Sequence, residues 1–263
     1  MPIQQDDRGR RRVEMALVVP GTPEQVWEAL ATGPGYEAWF TRATVDGCVG
    51  GAITFDFGAA GESSGVVTGW DPPHRFAYEE RDWMEGAPPV ATEITVTARR
   101  GGRCVVRMVH SLFASTDDWD DQLEGFESGW AAFFDVLRVY LTHAAGQPAT
   151  LVSAFESTAM DTGRAWQAAV HALGGVPSHA GDRWTPPDGS GLSGVLEYLS
   201  QTPRQRHAVV HLDAPCQGAR LVGVGSGATA PVSMALYLYG DEAGRCAATA
   251  GSAIDGWIRR LRT

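Results

Sequence analysis

Cys104, Val106, Met108, His110 and Leu112 alternate with Arg103, Val105, Arg107 and Val109, which puts His110 on the apolar face of one strand. A histidine there has two readings. It bonds a ligand's polar group or moves a proton as general acid or base, or it is a core histidine bonded to a neighbour. Phe76, Tyr78 and Glu80 share one parity in an earlier run. If that parity faces inward, Glu80 joins His110 as an acid–base pair. With the opposite parity Glu80 stands in water, and no alternation in this run fixes the choice.

Aromatic residues crowd the same half of the chain: Trp39, Phe55, Phe57, Trp70, Trp83, Trp119, Phe126, Trp130, Phe133 and Phe134. Most are core, and the rest can wall a pocket for a small apolar or aromatic molecule. The catalytic candidates are His110 and Glu80. The ligand-binding candidates are Trp39, Phe55, Tyr78, Met108, His110, Phe126, Trp130 and Phe134. They place a ligand between a sheet face carrying Phe55, Met108 and His110 and a helix face carrying Phe126, Trp130 and Phe134. The loop Trp83-Met84, with Gly86 and Pro88-Pro89, is a candidate mouth.

Other chemistry is sparse. His207 and His211 share a strand face without a third ligand at metal spacing. Cys48, Cys104, Cys216 and Cys246 contain no C-x-x-C pair and read as reduced core residues. There is no nucleophile elbow, phosphate-binding glycine loop or zinc-protease helix, so neither a metal nor a cofactor is expected. The 21 basic residues, all arginine, face 31 acidic ones for a net charge of −10. That balance disfavours nucleic acid, since the only basic cluster (Arg8, Arg10, Arg11, Arg12) is a short N-terminal run. No run approaches the roughly 18 apolar residues of a membrane span, and the start lacks the apolar core of a signal peptide, so the expected location is cytoplasmic.

The elements that must carry these side chains are legible in outline. Val13 to Val19 is a β-prone run closed by Pro20-Gly21. Thr22-Pro23-Glu24-Gln25 has the capping-box signature, and Val26, Trp27 and Leu30 follow as one helical stripe. Gly33-Pro34-Gly35 breaks that helix, and a short turn of helix follows over Tyr36 to Phe40. From Arg42 to Leu112 the period is two, interrupted by Gly50-Gly51, Asp71-Pro72-Pro73 and Gly101-Gly102, as in an antiparallel meander with one face on a core. Trp119, Leu123, Phe126, Trp130, Phe133, Phe134, Leu137, Tyr140 and Leu141 then mark a long helix ended by Gly146 and Pro148.

After Pro148 the pattern begins again. Leu151 to Ser157 is strand-like, and a helix carrying Trp166 starts at Asp161-Thr162. Trp27 and Trp166 sit at matching distances from their caps; Ser64–Trp70 matches Ser193–Leu199; Gly102-Arg103-Cys104 recurs at Gly244, and Gly129-Trp130 recurs at Gly256. The order is preserved, which reads as an internal duplication. The expected organisation is a flexible tail over 1–12, a first domain over 13–147 and a degenerate second copy over 148–263 whose last helix is short, spanning Ala253 to Arg262.

The runs TPEQVWEALATGPGYEAWF, GGAITFDF, GVVTGWDPPHRFAYEE, VVRMVHSLF and ESGWAAFFDVLRVYL together resemble the SRPBCC (START-like) superfamily, nearest to bacterial homologues of the activator of the heat-shock-protein-90 ATPase. The resemblance implies an α+β helix-grip fold, as in birch-pollen-allergen-like proteins: an antiparallel sheet wrapped around a long C-terminal helix, with a cavity between. It implies a binder of a small apolar or aromatic ligand. The alternatives are a polyketide-type cyclase or dehydratase acting in that cavity, or a chaperone-ATPase-interacting protein. A homodimer is a further partner that this reading allows.

Overall fold

The computed structural model describes residues 3–5, 11–58, 61–81, 83–84, 86–113, 119–187, 190–226 and 229–262, without the side chains at 5, 120 and 121–128. The chain divides into two compact units, 1–146 and 147–263.

Unit 1 contains β1 (Gln4–Gln5), β2 (Arg11–Pro20), α1 (Pro23–Ala31), α2 (Gly33–Glu37), β3 (Arg42–Val45), β4 (Ala52–Asp56), β5 (Glu62–Asp71), β6 (Arg75–Glu80), β7 (Val90–Arg99), β8 (Arg103–Leu112) and α3 (Asp120–His143). Its sheet runs β1-β2-β8-β7-β6-β5-β4-β3, so β3 to β8 form a meander and β2 returns beside its last strand. That pairing sets Val13 against His110, Met15 against Met108, Leu17 against Val106 and Val19 against Cys104. Each of those side chains is buried, as a sheet with one face on a core requires. The α3 helix supplies the cover, burying Trp130, Phe134, Leu137 and Tyr140 among others.

The capping box forms: the Gln25 amide donates to Thr22 Oγ1 at 3.3 Å, and the Thr22 amide donates to Gln25 Oε1 at 3.0 Å. The first helix does break here, its extended cap Thr32 following Ala31, and Gly33-Pro34-Gly35 opens α2. Thr32 caps it, accepting from the Gly35 amide at 3.0 Å. A Cβ at Gly35 would lie 1.9 Å from the Glu28 carbonyl oxygen, so glycine is what lets α2 lie against α1. Over 1–12 the expected flexible tail is in part a strand. Gln4 and Gln5 pair with Arg12 and Arg11, Arg12 Nη2 donates to Gln4 Oε1 at 3.0 Å, and Ile3 packs on Val13, Val90 and Leu112. Paired backbone and buried apolar contact offset the entropy that a free tail would keep.

Unit 2 contains β9 (Ala149–Thr158), α4 (Thr162–Ala172), β10 (Arg183–Trp184), β11 (Ser193–Gln201), β12 (Gln205–Ala214), β13 (Gly218–Gly225), β14 (Ala230–Tyr239) and α5 (Ala243–Leu261). Its sheet runs β10-β11-β12-β13-β14-β9. Again the first strand pairs with the last of a meander and a helix closes the unit, so the two α+β sheets fit tandem copies of one helix-grip plan. The last helix is not short. It runs for 19 residues. It opens with Ala243-Gly244-Arg245-Cys246-Ala247-Ala248, which shows no stripe of large apolar residues even though alanine is the best helix former. For the same reason one sequence match fails in space: Gly102-Arg103-Cys104 enters a strand, whereas Gly244-Arg245-Cys246 lies in α5. The other three fall on corresponding elements, α1 with α4, β5 with β11 and α3 with α5.

Candidate functional site

The inner face of unit 1 is set by cross-strand register. Val13 pairs with His110, His110 with Thr92, Thr92 with Tyr78 and Tyr78 with Val67. Residues paired in this way project to the same side of a sheet, so one row crosses the face beneath α3. The row has a polar spine. Thr92 Oγ1 lies 2.8 Å from His110 Nδ1 in a buried hydrogen bond. The Tyr78 hydroxyl is next in this row, near enough to Tyr36 and Thr92 for each to act on its ionisation. Tyr36, Tyr78, Thr92 and His110 are all buried.

The next row pairs Glu80 with Val90 and Val90 with Leu112. Phe76 and Tyr78 are each 1% exposed, which settles the parity that the sequence leaves open: Glu80 faces inward with them. Its Oε1 accepts a short hydrogen bond from Ser63 Oγ, on the neighbouring strand β5.

A cavity of about 190 Å³ opens against this wall, lined by Phe40, Phe55, Phe57, Tyr78, Glu80, Val90, His110, Gly129, Trp130 and Phe133. The opposite walls are aromatic. Phe40 meets Trp130 at 4.6 Å and Phe133 edge-on at 4.9 Å, and Trp130 stacks over the His110 ring at 5.7 Å with 15° between planes. Trp83 stands near one side: its Nε1 donates to the Pro88 carbonyl at 2.8 Å, and its ring meets Trp119 at 6.3 Å.

Burial governs the ionisation of the wall. Desolvation lowers the His110 pKa to about 3, so the imidazole is neutral at physiological pH. Burial raises the Glu80 carboxyl, partly offset by the bond from Ser63. Burial likewise holds the Tyr78 hydroxyl well above its ordinary value, keeping it protonated. The wall therefore offers hydrogen bonds without a fixed positive charge, together with one carboxyl group shifted toward its neutral form. It can orient a neutral polar substituent, and Glu80 can exchange a proton with it. One imidazole and one carboxylate fall short of the three or more protein ligands that a metal site takes.

Of the residues singled out from sequence, Glu80, Phe55, Tyr78, His110 and Trp130 line this cavity. Trp39, Met108 and Phe134 do not. Trp39 is fully buried, with Nε1 donating to the Ala29 carbonyl at 2.8 Å and its ring stacked on Phe134 at 6.2 Å. Met108 sits one row over, between Met15 and Ile94. All three are buried core residues. Phe126 lies outside the described side chains. Phe40, Phe57, Val90, Gly129 and Phe133 line the cavity without having been named as ligand contacts. Parity carried a signal for two of them: Phe57 continues the Phe55 face, and Phe133 follows Trp130 by one helical step. Phe40 enters from the turn after α2, where no periodicity reaches.

In unit 2, His207, Val209 and His211 lie on the sheet face opposite the core residues Ala208, Val210 and Leu212. The core face carries Arg220, buried with its guanidinium 4.7 Å over the Trp184 ring and donating to Met234 Sδ at 3.2 Å. Among the described residues no helix is long and apolar enough to cross a membrane.

Residues 20–142 match the model of the family described as Activator of Hsp90 ATPase homolog 1-like protein. No curated protein matches the sequence. Among solved structures, CalU16 from Micromonospora echinospora is 18% identical, covering 54% of this chain and 83% of its own, with a TM-score of 0.44. The Aha1 dimer from Colwellia psychrerythraea is 22% identical, covering 51% of this chain and 98% of its own, with a TM-score of 0.43. DynU16, from the dynemicin biosynthetic locus, is 17% identical over 95% of this chain and 96% of its own, with a TM-score of 0.45.

Proposed function

We propose, from the match of residues 20–142 to the Activator of Hsp90 ATPase homolog 1-like family, that the cavity of unit 1 binds a small, uncharged, apolar or aromatic molecule. The observation that carries this reading is the aromatic enclosure around about 190 Å³, with Tyr78, Glu80 and His110 gathered on the sheet wall. An apolar protein cavity of about 150 Å³ takes up benzene, so one substituted ring, or one ring of a larger molecule, suits this space. Burial of its surface is worth roughly 25 cal/mol per Å², and the polar wall fixes its orientation. The neutral His110 supplies no counter-charge, which favours a neutral ligand.

Native mass spectrometry of the folded chain tests this. A bound small molecule that is released on denaturation, and that is lost in Gly129→Leu, is the expected result. Gly129 lines the cavity, and a Cβ built there meets nothing within 4 Å among the described residues, so leucine adds bulk to the space itself. A ligand retained in that variant would count against the site. Met108→Trp is unsuitable as a blocking variant, because Met108 is fully buried and does not line the cavity. The mass of the intact particle also reports whether the chain forms the homodimer that we include in this reading.

A second reading has its own observation. A carboxyl group with a raised pKa and a neutral imidazole share one wall, as proton transfer in a polyketide-type cyclisation or dehydration needs. Incubation with a β-hydroxy ketone would then yield the dehydrated product, and Glu80→Gln would abolish turnover while leaving binding intact. Interaction with a chaperone ATPase, suggested by the family's description, is checked by adding the chain to an Hsp90-type ATPase and measuring its rate. We further read residues 13–147 as one domain and 148–263 as a diverged second copy of it, a reading supported by the shared element order.

A further inference from the structure

In unit 2, Cys216 lies in the connection between β12 and β13, and Cys246 lies near the start of α5. The backbone brings these places together. The Tyr239 amide, at the end of β14, donates to the Gln217 carbonyl at 2.8 Å. The chain then turns at Gly240, whose φ of 84° favours glycine, and the Ala243 amide bonds back to the Gly240 carbonyl at 3.0 Å as α5 begins. The residue after Cys216 is thus fixed beside the strand end that feeds the helix carrying Cys246. Both cysteines belong to the same core cluster, Cys216 buried and Cys246 partly buried. Burial, and after it the Cys246 side chain, raises the Cys216 thiol.

We propose that Cys216 and Cys246 are a redox-active thiol pair that closes into a disulfide, fastening the start of α5 to the β12–β13 connection. Closure takes a rotation of the two side chains that brings their sulfurs to the roughly 2.05 Å of an S–S bond. The oxidant is a low-molecular-weight disulfide, R–S–S–R. Cys246, the more accessible thiol, loses its proton and attacks one sulfur, forming a mixed disulfide and expelling RS⁻, which takes up a proton. Cys216 then gives up its proton and attacks the Cys246 sulfur, expelling the second RS⁻. In balance, two protein thiols and one R–S–S–R become one protein disulfide and two R–SH. The second step is slow at neutral pH, because burial and the neighbouring Cys246 and Glu242 push the Cys216 thiol up to about 12. Closure therefore accelerates as pH rises.

Cys48 is the exposed thiol and Cys104 is buried, with its Sγ donating to the Gly21 carbonyl at 3.4 Å, so the test uses the folded full-length Cys48→Ser chain. It is incubated with oxidised glutathione at pH 7 and at pH 8.5, then digested without reduction. The expected product has lost about 2 Da, the two thiol hydrogens, and yields one cross-linked peptide pair containing Cys216 and Cys246. It forms faster at the higher pH, and its Tm rises by several degrees and falls back with dithiothreitol. Two results would overturn the proposal: a stable glutathione adduct on Cys246 without the cross-link, or both thiols still free after the unfolded chain has been fully oxidised under the same conditions. The outcome rests on a chain with both cysteines intact, so it does not depend on the folding of a Cys216 or Cys246 variant.

Discussion

The two units share a plan and differ inside. In unit 1 the closing helix presents Trp130, Phe133 and Phe134, and Trp39 and Phe40 meet them from the turn after α2, beside the cavity that Phe40, Trp130 and Phe133 help to line. In unit 2 the closing helix buries Ala243, Ala250, Ala253 and Gly256, with Ile254 and Trp257 as its large contacts. Its indole Nε1 donates to the Ala169 carbonyl at 3.1 Å, and Arg260 Nε donates to the Ala172 carbonyl at 2.6 Å, so α5 grips the backbone of α4. Their polar interiors differ too. Unit 1 buries neutral groups against a space, while unit 2 buries an arginine between an indole and a thioether. The unit 1 cavity thus lies beneath large rings on its closing helix, where unit 2 sets mostly small residues.

The largest test of that contrast compares truncations. Trp257→Ala, which empties a fully buried site and removes a hydrogen bond, should cost about 4 kcal/mol in denaturant unfolding. Phe133→Ala borders space already empty and should cost under about 1.5 kcal/mol. Equal costs would mean that the cavity collapses or that unit 2 is looser than its burial indicates.

Next comes pH. His110 titrates near 6.5 in the unfolded chain but near 3 when folded. Between those values the unfolded state binds more protons, so stability is fully present above about pH 6.5 and is lost as pH falls toward 3. The loss from pH 8 to pH 5 should be about 2 kcal/mol for this one group. Hydrogen exchange of β7 and β8 amides would read it, and His110→Leu should flatten the slope. Glu80, raised in the folded state, works in the opposite sense: it favours folding below its folded pKa, and that contribution is lost as pH rises through it.

A smaller effect separates two helical glycines. Gly129→Leu should stabilise by about 0.5–1 kcal/mol, because it gains helix propensity and its side chain enters open space. Gly256→Leu should destabilise by about 1–3 kcal/mol, because Gly256 is buried and its Cβ would already stand 3.3 Å from Arg260 Nη1. Thermal denaturation of the two variants distinguishes the signs.

What sequence could reveal followed from periodicity. The meander, the capping box at Thr22 and the long helix before Pro148 all announce themselves by spacing or by a cap. The first half of α5, Ala243 to Ser252, does not, because its mostly small residues form no stripe of large apolar side chains. The facing of Glu80 was illegible because Phe76, Ala77 and Tyr78 are all apolar or aromatic and all buried, so only the register against Ile94, Thr92 and Val90 decides it. Within the candidate residues, sequence parity carries the face and not the depth. His110 and Met108 share a strand face, yet Trp130 stacks over one while the other is fully buried and does not line the cavity. Parity gives the side of a sheet, and it does not give the distance to the helix above.

The most direct measurement is a titration of the ¹⁵N-labelled chain with phenol, a neutral ring carrying one hydrogen-bonding group, followed by NMR in wild type and in Gly129→Leu. Saturable shifts confined to residues around Phe40, Phe55, Tyr78, His110 and Trp130, and absent from the variant, are the expected result. Shifts that never saturate, or that persist unchanged in a folded Gly129→Leu chain, would contradict a ligand cavity between α3 and the sheet of unit 1.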